Sequence, residues 1–149
     1  MITPATMSDV GELARLQWLN THEQEPPPRS AGEFSAELAR WWAANQRTHQ
    51  AFVARLDGPE IIGVAWVALV SRVPYPGSTN RLCADIQSVY VMAEVRGQGI
   101  GSALVQAAAQ HATQLGALRV TVHSGRKAVP VYERLGFASS RQLLQREPD

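Results

Sequence analysis

The stretch VYVMAEVRGQGIGSALV, Val89 to Val105, decides how this chain is read. An apolar run ends in three alternating glycines and turns helical within a few residues. Glycines at 97, 99 and 101 remove side chains that would hold a ligand off the backbone. The helix that follows offers unpaired N–H groups and the positive end of its dipole. Together these make an anion site, and a pyrophosphate is its natural guest. Arg96 adds a guanidinium at the mouth, suited to phosphate. The competing explanation is a tight strand-to-helix turn that binds nothing. Two familiar phosphate loops do not fit. The dinucleotide fingerprint needs G-x-G-x-x-G, whereas the spacing here is G-x-G-x-G. The Walker loop needs a Lys after its second glycine, and none follows.

Outward from this stretch, the pattern predicts an α/β domain. Ile2 to Thr6 reads as a short strand. Ser8 or Asp9 reads as the N-cap of a first helix ending near Asn20, with Leu13, Leu16 and Trp18 on its apolar stripe. The prolines of THEQEPPPRSAGE, residues 21–33, forbid regular helix there and make a connector or a pocket wall. A second helix spans about Phe34 to Gln46. Gln50–Leu56 and Ile61–Val70, separated by Asp57-Gly58-Pro59-Glu60, read as a hairpin. Cys83 to Met92 is a third long strand. Helix follows from Gly99 to Leu115, with Ile100, Leu104, Ala108 and Leu115 on one face and Gly116 as its stop. Leu118–His123 is a strand, Lys127–Leu135 a short helix, and Phe137–Arg146 one or two final strands. The hairpins are expected antiparallel and the strand–helix–strand unit 83–123 parallel.

Bulk properties narrow the partners. The 149 residues make one ordinary domain, residues 1–149, with 45% apolar and 18% charged residues. A formal net charge of +1 gives no electrostatic reason to expect nucleic acid or a membrane surface. No apolar run approaches the length of a bilayer span. Cys83 is the sole cysteine, so no intrachain disulfide can form. A reducing, cytoplasmic location is the default, and Cys83 is expected to be a buried small hydrophobe. The N-terminal segment MITPATMSDV does not read as a secretory leader.

Arg96-x-x-Gly99-x-Gly101, between an apolar strand and an amphipathic helix, resembles the acyl-coenzyme-A signature [QR]-x-x-G-x-[GA] of the GNAT acetyltransferase superfamily. A second block agrees with it. RVTVHSGRKAVPVYERLGF, residues 119–137, is similar to that family's next strand and helix, ending in Tyr132-Glu133-Arg134-Leu135-Gly136-Phe137. The resemblance is specific over roughly 85–137 and rests on element order before that. It implies a mixed, mostly antiparallel sheet with a central, splayed parallel strand pair, flanked by helices. It also implies acetyl-CoA as cofactor and acetyl transfer to an amine, by direct attack in a ternary complex. No metal is expected.

The same resemblance assigns roles to single residues. The backbone of Val89, Tyr90 and Val91 would pair with the pantetheine arm as a further strand, and an N–H near Val89 would hold the oxyanion. Arg96, Gly97, Gln98, Gly99, Ile100, Gly101 and Ser102 match the pyrophosphate loop. Tyr132 matches a tyrosine that acts as general acid toward the departing thiolate; its alternative is a ring packed in the core. An alkyl amine has a pKa of about 10.4 and must lose a proton before it attacks. Asp85 is the expected base, with His123 or water as alternatives. One departure stands out. Where many members carry an Asn, three residues before Ala128, this chain has Gly125, so Ser124, Arg126 or Lys127 would take over contacts there. Pro130 falls in the first helical turn, where no N–H is needed.

The acceptor would enter from the opposite side. Its wall is expected to draw on Trp18, His22, Glu23, Glu25, Phe34, Trp41, Trp42 and the loop 73–81. Aromatic rings with acidic neighbours suit a cationic amine. A small-molecule amine is expected, with a protein or peptide amine as the alternative substrate and a non-catalytic acyl-CoA-binding module as the alternative role. Homodimers are common on this fold; this sequence carries no feature that selects one.

Overall fold

The computed structural model describes residues 1–23 and 31–148. The three prolines at 26–28 and Glu25 lie outside these residues. Strand β1 (Ile2–Pro4) leads through a 3-10 turn into helices α1 (Val10–Thr21) and α2 (Ala31–Asn45). Strands β2 (His49–Ala54), β3 (Gly63–Arg72) and β4 (Arg81–Val91) follow. Helix α3 (Ile100–Gln114), strand β5 (Val120–Val122) and helix α4 (Val129–Arg134) complete the order.

The strands form one five-stranded sheet in sequence order. The first three junctions are antiparallel, and β4 pairs with β5 in parallel. The mixed, mostly antiparallel sheet expected from the sequence is therefore formed. Gly63 to Ala68 of β3 are all buried. Such an unbroken apolar run is what a strand covered on both faces requires. On one face, α3 lays Leu104, Ala108 and Ala112 against Phe52, Val67 and Ile86. On the other, Leu13 and Leu16 of α1 and Trp42 of α2 cover Val53, Val64 and Trp66.

Several boundaries move for local reasons. Asp9 precedes α1, but its carboxylate accepts from the Thr6 N–H (2.9 Å) and from Arg55 (2.7 Å) instead of capping the helix. The apolar face of α3 runs through Ala112; Leu115 lies past the helix end and is half-exposed. Cys83 is half-buried in β4, less enclosed than the expected core position. Pro130 does sit in the first turn of α4.

The strands expected over 137–146 are a correction: that segment is turn and irregular structure. Leu143 and Leu144 are adjacent, so in a strand they would point to opposite faces and neither face would be apolar. Both are exposed, at 63% and 87%. The parallel pair consequently stands at one edge of the sheet among the described residues.

Two irregularities of β4 position the site. Trp66 pairs with Ser88 and Val67 with Ile86, which leaves Gln87 as the extra residue of a β-bulge. Strand β5 pairs only with Ala84 to Ile86. Beyond that point β4 runs on to Val91 with β3 on one side and, among the described residues, no strand on the other. This is the splay that the family resemblance implied.

Candidate active site

A cleft of about 610 Å³ opens where β4 leaves β5. Val89, Tyr90 and Val91 form one side, the turn from Arg96 to Ser102 forms the end, and Tyr132 of α4 lies across it. Of the expected cofactor-binding residues, all but Gln98 line this cleft; Gln98 is exposed outside it. The sequence reading missed Asn20, Val131 and Arg134, which also line it.

The turn has the geometry the glycines suggest. Gly97 and Gly99 adopt φ of 79° and 81°. These are left-handed values that side chains with a Cβ resist. The first bond of α3 runs from Ala103 N–H to Gly99 C=O (3.1 Å). The N–H groups of Ile100, Gly101 and Ser102 therefore have no partner within the helix. Gly101 differs: its φ is not positive, and an added Cβ would lie 3.6 Å from Val91 Cγ2, an ordinary contact.

The open edge of β4 presents polar backbone to the cleft. Val91 C=O accepts from Arg96 Nε (2.8 Å). Backbone groups alternate along a strand, so those of Val89 face the same way. Arg96 is turned inward: its guanidinium pairs with the Glu23 carboxylate and lies over the Tyr90 ring (5.3 Å). The Tyr90 hydroxyl donates to the same Glu23 carboxylate (3.2 Å). Burial, and then this carboxylate, push the Tyr90 hydroxyl above the ordinary phenol value.

Tyr132 packs edge-on against Phe137 (5.6 Å) and touches the α3-side core. Burial raises its hydroxyl pKa from the ordinary 10.0, so it stays a proton donor. Its ring also borders a neighbouring groove of about 430 Å³ that holds His123 and Ser124. The Ser124 hydroxyl donates to Gly125 C=O (2.7 Å). Ser124, Arg126 and Lys127 are thus not among the residues lining the glycine cleft; Ala128 is.

Asp85 lies two residues before the bulge, half-buried. It accepts from Thr121 Oγ1 (3.0 Å) and, at 3.5 Å, from Gln87 Nε2. Gln87 and Ser88 line a second pocket of about 390 Å³ on the α1–α2 side of the sheet. A hydrogen-bond chain through Ser88 lies between the two cavities. Asn20 Nδ2, from the cleft, donates to Ser88 Oγ (3.0 Å), and Ser88 Oγ donates to Gln17 Oε1, in the pocket (3.3 Å).

The structure separates the expected wall residues. Phe34 and Trp41 line the second pocket. Trp42 is core, with Nε1 donating to His49 C=O (3.0 Å). Trp18 stacks on His22 (4.5 Å), and its buried Nε1 has no hydrogen-bond partner among the described residues. Glu23 belongs to the cleft, and Glu25 lies outside the described residues. The 73–81 loop is elsewhere, with Arg81 over the Tyr75 ring (3.8 Å). Gln17, Leu38, Glu37 and Trp66 of the pocket were not anticipated. Phe34, Glu37, Leu38 and Trp41 share helical spacing, which is a usable signal; the bulge that adds Gln87 and Ser88 leaves none.

The sequence model of the acetyltransferase (GNAT) family matches residues 9–137. A glucosamine 6-phosphate N-acetyltransferase of Trypanosoma brucei brucei is 30% identical over 127 residues, covering 82% of this chain and 80% of that protein. Among solved structures, a Trypanosoma brucei acetyltransferase aligns with TM-score 0.76 and 24% identity over 99% of both chains. An acetyltransferase from Clostridium acetobutylicum, solved with acetyl-CoA, aligns with TM-score 0.73 and 19% identity over 99% of this chain and 95% of that one. With its fold, its glycine turn and its matched length, the chain belongs to the acetyltransferase (GNAT) family and is an acyltransferase.

Proposed function

We propose that this protein moves the acetyl group of acetyl-CoA to the primary amine of a small molecule. The observation that carries the reading is one cleft lined by the free edge of β4, the N–H groups after Gly99 and the Tyr132 ring. Acetyl-CoA serves as the donor substrate. Its pyrophosphate suits the Ile100–Ser102 N–H groups, with Arg96 and Arg134 as cations at the same end. Its extended arm suits the Val89–Val91 backbone. Arg96 Nε, now on Val91 C=O, stands where an amide of that arm would donate.

The acceptor enters through the α1–α2 pocket, which Ser88 and Asn20 link to the cleft. The amine nitrogen bonds to the acetyl carbonyl carbon as the carbon–sulfur bond breaks. The Val89 N–H faces the developing oxyanion. Tyr132 gives its proton to the thiolate, and the amine's surplus proton passes to Asp85 through water. His123 lies in the neighbouring groove instead. The products are an N-acetyl amine and the free thiol.

A thermal melt with and without acetyl-CoA tests the donor half. Acetyl-CoA at about a hundred times its Kd adds about 2.7 kcal/mol and raises the melting temperature by several degrees. No shift at millimolar acetyl-CoA rejects the reading. Free-thiol release with an amine panel tests the acceptor half.

A further inference from the structure

We infer that the acceptor is an amine carried on an aromatic or branched apolar body, without a phosphate or carboxylate. The inference rests on the acetyltransferase reading and specifies the substrate class of its second pocket.

The pocket's chemistry is uneven. Phe34, Leu38, Trp41 and Trp66 are half of its lining residues. Trp41 is 41% exposed, although a large aromatic ring on a helix packed against a sheet would ordinarily be buried. It makes T-shaped contacts with Trp66 (6.0 Å) and His49 (4.8 Å), which restrict the ring's orientation. An exposed ring held in place beside a concavity is a surface prepared for a flat apolar group. The volume of about 390 Å³ suits one ring or a branched chain with a short amine arm.

The charge is one-sided. Glu37 is the pocket's only charged lining residue among the described residues. Its carboxylate draws cationic amines to the pocket and repels phosphate or carboxylate. The polar groups that remain are Gln17, Gln87 and Ser88, and Ser88 bonds both Gln17 and Asn20 of the cleft. An amine hydrogen-bonded there lies next to Val89, where the acetyl group is expected, while its apolar body lies on Trp41. A sugar phosphate fails twice: its hydroxyls would leave water for apolar walls, and its phosphate would face Glu37. This chain thus departs from what the name of its trypanosome relative suggests.

The test compares 2-phenylethylamine and 3-methylbutylamine with glucosamine 6-phosphate and glycine, at saturating acetyl-CoA, by free-thiol release. The apolar amines are expected to show kcat/KM at least about tenfold higher. Trp41→Ala should raise the KM for 2-phenylethylamine about tenfold with the KM for acetyl-CoA unchanged. Glu37→Lys, at an exposed position that does not threaten folding, should lower kcat/KM for the apolar amines and narrow the gap to glucosamine 6-phosphate. Equal or better turnover of the phosphorylated or carboxylated amine overturns the inference, as does an unchanged KM in Trp41→Ala. Ligand-observed NMR of 2-phenylethylamine with the wild-type protein reads the pocket without the donor; absent binding at millimolar amine also overturns it. Failure of the parent reading looks different: acetyl-CoA then leaves the melting temperature unmoved.

Discussion

At the scale of residues, three side chains carry testable weight. Tyr132→Phe removes the hydroxyl proposed as proton donor but keeps the ring against Phe137. It should lower kcat about a hundredfold, with the KM for acetyl-CoA unchanged; a wild-type rate removes Tyr132 from the mechanism. The same residue leaves a mark on stability. Burial raises its folded pKa above the unfolded value of about 10. The unfolded chain therefore loses the proton first, and the folded advantage is full below about pH 10 and lost as pH rises through the folded value. Melting temperature should fall less steeply above that pH in Tyr132→Phe than in the wild type. Asp85→Asn should displace the acid limb of the pH–rate profile; an unmoved limb assigns the proton to water. Glu23 pairs with Arg96, and in the proposed complex it would compete with the donor's phosphates for that guanidinium. Exposed pairs are worth about 0.2–1 kcal/mol, so Glu23→Gln should tighten acetyl-CoA about two- to fivefold at low salt. A weaker KM would show that Glu23 positions Arg96 instead of competing for it.

At the scale of elements, the glycine turn divides into strict and permissive positions. Gly99 is left-handed at the N-terminus of α3, and a Cβ there would meet nothing within 4 Å. Gly99→Ala should cost about 1–2 kcal/mol of backbone strain and raise the KM for acetyl-CoA. Gly101→Ala places its methyl in ordinary contact with Val91 and should change stability by less than about 0.5 kcal/mol. Chemical denaturation of the two variants, with KM measured alongside, checks the contrast. The sequence marked this turn well because left-handed backbone and a helix start both leave local signatures. It marked β4 less well, since a bulge is a mismatch between two strands and neither strand contains it alone.

At the scale of the molecule, the cleft depends on close packing between α3 and the sheet. Gly63 begins β3 beneath α3, and an added Cβ would come within 3.0 Å of Leu104 Cδ1 and 3.3 Å of Tyr90 C=O. Leu104 is fully buried, so its Cδ1 can yield only against packed neighbours. Gly63→Ala should cost about 1–3 kcal/mol and lower the melting temperature by about 3–10 °C, read in a thermal scan. An unchanged melting temperature would mean that α3 lifts freely from the sheet. The composition drew no attention to Gly63, which lies in an apolar run far in sequence from Leu104.

The sequence alone determined what depends on neighbours along the chain. Alternating and helical apolar spacing placed most elements, and the glycines with Tyr132-Glu133-Arg134-Leu135-Gly136-Phe137 marked residues that line the cleft. Tertiary structure decided what depends on pairing across the chain. It set the bulge that turns Gln87 and Ser88 to one side, and the inward Arg96–Glu23 pair. It also sorted the tryptophans, sending Trp42 to the core and Trp41 to the pocket wall. Adjacent residues on one amphipathic helix are equally apolar in sequence. Only the sheet they pack against decides which is buried and which is left to meet a ligand.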